Sequence, residues 1–128
     1  MTKEEILDET LAYYKENRPG FDYDSYECHY MAPDGCMCAV GRCLYDASLY
    51  QYVTGDVFHL DSYYGLESIL KPEYLGHSIA FWSALQMLHD GPIVSYWDAD
   101  IHDRDIHLSK IETKADSIRK AIHAGKYD

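Results

Sequence analysis

The sequence predicts one α+β domain over residues 1–128, a short antiparallel hairpin packed against about three main helices. Three observations predict it. Apolar residues recur at helical spacing in three separate stretches. A single Pro-Asp-Gly turn separates two short runs rich in Cys, Tyr and Met. The 128 residues contain no internal repeat, no low-complexity tract and no linker that would divide them.

The first helix is expected over residues 3–17. Thr2 and Glu5 form a capping-box pattern ahead of Ile6, Leu7, Leu11 and Tyr14, and Arg18-Pro19-Gly20 ends the run. The hairpin is expected to pair residues 27–31 with 36–38 around Ala32-Pro33-Asp34-Gly35, setting Cys28 opposite about Cys38. Residues 39–45 read as a short helix. Residues 47–60 read mostly as loop, with Tyr50, Tyr52, Val53 and Phe58 around Thr54-Gly55-Asp56. Lys71-Pro72-Glu73-Tyr74-Leu75 suggests one helical turn with Pro near its start. The strongest helical pattern is Ile79, Trp82, Leu85, Gln86, Leu88 and His89, with a stop expected at Gly91-Pro92. The last helix is expected to start near Asp103 or Asp105. Its stripe of Leu108, Ile111, Ala115, Ile118 and Ile122 leads to a Gly125 placed to cap it.

Composition restricts the functions available. Twenty-two acidic residues against 11 Lys and Arg give a net charge of −11, which opposes direct binding to nucleic acid or an anionic membrane. No apolar run approaches a membrane span, and the N-terminus has no signal-like apolar segment, so a cytoplasmic protein with reduced thiols is expected. The charge is uneven. Between Pro19 and Leu70 stand eight acids and one base, Arg42, whereas the last 23 residues are slightly basic. Tyrosine is abundant, with 13 residues, 11 of them before residue 75.

Four cysteines, Cys28, Cys36, Cys38 and Cys43, fall within sixteen residues. Tetrahedral zinc needs converging soft ligands, usually from a C-x-x-C knuckle. The spacing here is C-x7-C-x-C-x4-C, so packed apolar thiols are the stronger reading and no stoichiometric metal or other cofactor is expected. Cys38 stands where a strand ends and a helix begins, which would lower a thiol pKa, and with a histidine it is a candidate nucleophile. His89-Asp90 is similar to the HD pair of metal phosphohydrolases but lacks further His and Asp ligands. Its plainer reading is a histidine at a helix end followed by a turn-opening aspartate. Cys38, His89 and Asp90 are therefore the catalytic candidates. The segment from Asp98 to Asp105 lacks the spacing of a calcium loop and reads as solvated loop with helix caps. No phosphate-binding glycine motif and no serine-hydrolase elbow is present.

The combination of tyrosine and acid has more to offer. Tyrosine gives stiff, amphipathic contact area, and acids steer toward basic surfaces. Tyr23, Asp24, Tyr26, Glu27, Asp56, Asp61, Tyr63 and Tyr64 are the candidate partner-binding residues. The contrary reading is that many tyrosines are half-buried core and the acids only solubilise.

Cys28-His29-Tyr30, Asp34-Gly35, Cys38-Ala39-Val40-Gly41 with Leu44, then Leu85-Gln86-Met87-Leu88-His89-Asp90 and Trp97 together form an ordered set of motifs. This set resembles a family of small uncharacterised tailed-phage and prophage proteins with a C-x-Y … CA-x-G … LQ-x-HD … W signature. The resemblance spans roughly residues 20–100 and omits Cys36 and Cys43. It implies provenance, a phage accessory gene acting in the host cytoplasm, and no particular activity. By analogy, small acidic phage proteins often act as binders that inhibit or redirect a host defence or nucleic-acid-handling protein. The expected partner is then a host protein with a basic surface, and the oligomeric state is open. The alternative is a small enzyme or ligand-binding protein with a Cys/His-centred site.

Overall fold

The computed structural model describes residues 1–51, 53 and 55–128. It shows an α+β fold in which a two-stranded antiparallel ribbon and several tight turns pack against helices. Helix α1, Lys3–Glu16, starts in the expected capping box. The Glu5 N–H donates to Thr2 Oγ1 at 3.1 Å and the Thr2 N–H to Glu5 Oε1 at 2.8 Å. It buries Ile6, Leu7, Thr10 and Tyr14.

The ribbon is displaced from the expected register. Strand β1, Phe21–Asp22, pairs with β2, Glu27–Cys28, placing Phe21 opposite Cys28. The Pro-Asp-Gly turn does form: Gly35 takes φ 86° and the Ala32 N–H donates to Cys36 O at 2.7 Å. Beyond it there is a single bridge, Met31 to Met37, and Cys28 does not pair with Cys38. The reason lies at Gly20. A Cβ there would stand 2.3 Å from the Cys38 nitrogen and 2.7 Å from the His29 oxygen. The chain entering β1 therefore passes close to both segments, and β1 takes the pairing partners of β2.

Residues 39–45 hold one 3₁₀ turn, Gly41–Cys43. A second 3₁₀ turn, Ala47–Tyr50, and helix α2, Val57–Tyr64, occupy most of the stretch expected to be loop, while Tyr52 and Thr54 lie outside the described residues. Only Val57 and Leu60 of α2 are buried, so its pattern is weak; the Asp56 cap and packing on the next long helix hold it. A short helix α3, Leu66–Ile69, and a 3₁₀ turn at Pro72–Tyr74 follow.

Helix α4, Ile79–Leu88, is capped by Ser78 and buries Phe81, Trp82, Leu85, Gln86 and Leu88. It does not stop at Gly91-Pro92. The chain widens into a π turn, His89–Ile93, and runs on as α5, Val94–Asp98. A π turn bonds five residues apart, so Pro92 falls where its missing N–H and bulky ring disturb the ladder least. Helix α6, Arg104–His123, packs on α1, α4, the π turn and α5. It ends in a Schellman motif: the Lys126 N–H donates to Ala121 O at 3.0 Å and the Gly125 N–H to Ile122 O at 3.1 Å, with Gly125 at φ 72°. No helix is long and apolar enough to cross a membrane among the described residues.

The core gathers Ile6, Leu7, Leu44, Leu60, Leu66, Phe81, Trp82, Leu85, Leu88, Ile93 and Ile118. One charge enters it. Arg42, the single cation between Pro19 and Leu70, is buried, its guanidinium donating to Glu9 Oε1 at 2.6 Å and Thr10 Oγ1 at 2.6 Å and standing 5.5 Å from the Tyr13 and 5.9 Å from the Tyr74 ring centroid.

Candidate functional site

Two regions hold the residues singled out by sequence. The first is a polar knot where α4 meets the π turn. His89 is completely buried. The Gly20 N–H donates to its Nε2 at 3.0 Å, so that nitrogen carries a lone pair and the ring proton sits on Nδ1. Nδ1–H in turn donates to Asp90 Oδ1 at 2.7 Å. The same carboxylate oxygen accepts from Gln86 Nε2 at 2.8 Å, while Gln86 Oε1 accepts from the Val40 N–H at 3.2 Å. The Cys28 thiol faces Asp90, and burial, then the Asp90 charge and a hydrogen bond to it, push that thiol far above its ordinary range. Cys38 is fully buried. Burial pushes its thiol up to about 12, although the Gly41 N–H donates to its sulfur at 3.3 Å.

The structure thus brings Cys28, Cys38, Gln86, His89 and Asp90 together from three distant segments. Cys28 meets the π turn at Asp90 and Cys38 meets α4 at Gln86, although the two cysteines are not paired in a hairpin. Gln86 and His89 are each satisfied by one backbone N–H and by the Asp90 carboxylate, while the Tyr30 hydroxyl donates elsewhere, to Gly55 O at 3.2 Å. The imidazole does not end a helix as a solvated cation, because the chain continues as a π turn and both ring nitrogens are occupied.

That bonding decides what the knot can do. Nucleophilic catalysis needs a thiolate beside a base with a free nitrogen. Here both thiols are held in their protonated form, and the His89 lone pair already accepts from Gly20. Cys28, His89 and Asp90 do offer ligand atoms within 4.8 Å of one another. Binding an ion through Nδ1 would move the ring proton to Nε2, setting two donors face to face with Gly20. The knot is matched to protons. Cys36 and Cys43 stand apart from it: the Cys36 N–H caps onto Asp34, and the Cys43 thiol donates to Ala39 O at 3.4 Å. Among the described residues, Asp98–Asp105 contributes to no such group of metal-ligand atoms.

The second region is the tyrosine-acid surface, and it is split. On the ribbon, Tyr26 is 72% exposed at φ 59° and sets its ring edge against Phe21 at 5.2 Å. Tyr23 is half-buried against the same phenyl ring, and Asp24 and Glu27 are exposed. On α2, Tyr63 is 74% exposed and Tyr64 packs edge-on against Tyr50 at 5.0 Å. Two of the acids have local structural roles: Asp56 accepts the His59 N–H at 2.9 Å as helix cap, and Asp61 Oδ1 accepts the Leu66 N–H at 2.9 Å. Tyr14, Tyr30, Tyr50 and Tyr74 are core residues. Sequence reasoning missed Tyr45, 77% exposed, Leu49, 71% exposed, and Phe58, also exposed. No periodicity in the sequence marks them as exposed; Leu49 lies on the Ala47–Tyr50 turn, Phe58 on α2, and Tyr45 just ahead of that turn.

No protein-family model, curated protein or solved structure matches this chain.

Proposed function

We propose that this chain is a binding protein, a phage accessory protein that engages a basic surface of a host protein in the host cytoplasm and inhibits or redirects it. The phage setting comes from the resemblance of the Cys28–Asp90 signature. The mode of action is supported by one observation above all: the acidic segment keeps its single cation, Arg42, buried on Glu9, while Tyr26, Tyr45, Leu49, Phe58 and Tyr63 stand in solvent on a segment whose acids pair with no Lys or Arg among the described residues. Exposed aromatics supply contact area at low entropy cost, and the surrounding field steers a basic partner.

The test is affinity capture from host lysate with the immobilised chain, at low and high salt, alongside Tyr26→Ala and Tyr63→Ala. One partner is expected to be lost both in high salt, where screening shortens to about 3 Å near 1 M, and with at least one of the two substitutions. A complex indifferent to salt and to both substitutions, or no complex, sinks the reading.

A further inference from the structure

The apolar stripe of α6 has an exception. Leu108 is 37% exposed, whereas Ile111, Ala115 and Ile118 are buried. It stands on the wall of a groove of about 280 Å³ between α1, the π turn with α5, and α6, walled by Leu11, Tyr14, Ile93, Tyr96, Leu108 and Ile111. Small-molecule pockets run from about 300 Å³ upward and are mainly apolar with a few placed polar groups, so this groove falls just below their small end.

Its floor is held in place. The Tyr14 hydroxyl donates to Met37 O at 2.6 Å and Trp97 Nε1–H to Tyr14 O at 3.1 Å. One wall comes from the π turn, which supplies Ile93, and from α5, which supplies Tyr96, and π turns recur at functional sites.

The lips carry opposite charges. Lys15 and Glu112 both line the groove and are exposed, and neither forms an ion pair among the described residues. An anion entering alone meets Glu112, and a cation alone meets Lys15. We propose that the groove binds a free amino acid with a large apolar side chain, its side chain between Tyr14 and Leu108, its carboxylate on Lys15 and its ammonium on Glu112.

Isothermal titration and thermal shift with L-tryptophan, L-phenylalanine and L-leucine test this, using glycine, tryptamine and indole-3-propionate as probes lacking the side chain or one charge. At least one of the three amino acids binds saturably, and glycine does not. Removing either charge from the tryptophan skeleton weakens binding about tenfold or more, the scale of a lost charge-assisted contact. Lys15→Ala removes the advantage of tryptophan over tryptamine, and Glu112→Ala its advantage over indole-3-propionate. Leu108→Trp fills the groove and abolishes binding without lowering the melting temperature. Absence of saturable binding, equal binding of the three indoles, or full binding by a folded Leu108→Trp variant each overturns the proposal.

Discussion

The Gly20 N–H and His89 Nε2, 69 residues apart in the chain, form a buried hydrogen bond of 3.0 Å that ties the entrance of β1 to the π turn. Replacing His89 by Ala leaves that N–H without a partner, opens space beside Tyr14, whose ring stands 5.2 Å from the imidazole, and removes one donor from Asp90. A loss of about 2–4 kcal/mol in urea unfolding is expected. Cys38→Ala should cost on the order of 1–2 kcal/mol. Partner binding should fall in both only in step with stability. A fully stable His89→Ala or Cys38→Ser variant that has lost all activity would instead make the knot a working site and favour the Cys/His-centred enzyme.

The same hydrogen bond leads to a prediction about metal. Purified without added zinc, the protein should carry far less than one zinc per chain, and chelator should leave its melting temperature unchanged. Metal analysis that finds one tightly held zinc, lost together with the fold on chelation, refutes the proton-matched reading of His89.

Gly41 is held by crowding. A Cβ at this position would lie 1.9 Å from the Tyr30 carbonyl oxygen, a backbone atom that cannot swing aside. Gly41→Ala should destabilise by about 3 kcal/mol or more, in the class of substitutions that clash inside a packed core. Gly35→Ala meets no atom within 4 Å and should cost less, only the strain of its positive φ. Circular dichroism melts of the pair check the order, and a reversed order contradicts the close approach.

Thiol titration carries a pH dependence of definite sign. Burial raises Cys38 and Cys43 from 9.0 to about 12 in the folded chain. Their contribution to stability is therefore complete below pH 9 and is lost as pH rises from 9 toward 12, because the unfolded chain releases those protons first. Native protein should resist alkylation at both positions in mildly alkaline buffer, and Cys38→Ala with Cys43→Ala should flatten the alkaline fall in melting temperature. Alkylation of Cys38 at the rate of a free thiol without unfolding would contradict this.

Arg42→Lys should not be tolerated. A lysine cannot reach Glu9 and Thr10 together or present a guanidinium to the Tyr13 and Tyr74 rings, and it leaves Glu9 short of a partner. A loss of about 2–4 kcal/mol is expected from breaking such a buried arrangement. Although burial raises the Glu9 carboxyl, hydrogen bonds from Tyr74 and Arg42 hold it below 4.5. Its contribution is present above that value and is lost as pH falls through the lower folded one. Acid unfolding of Glu9→Gln should accordingly be less steep than that of the parent, and an unchanged acid limb removes Glu9 from the account.

Some of the molecule was written locally. The Thr2–Glu5 capping box, the Pro33-Asp34-Gly35 turn, the burial of Trp82 and Leu85 on one face, and the Gly125 cap each depend on residues within a turn or two, so spacing alone determines them. The α+β class follows from those pieces. What only tertiary structure decided involves partners far apart in the chain. Helix α2 has too weak a pattern to read, because its burial comes from α4. The continuation past Pro92 needs a π turn that no local rule prefers. The exposure of Tyr45 and Phe58 depends on where neighbouring elements end. The Cys28-to-Trp97 motifs are legible in the sequence as an ordered set of residues, but their chemistry is not. Whether His89 is a base, a ligand or a bonded core residue depends on which group faces each ring nitrogen, and Gly20 was brought there by the fold.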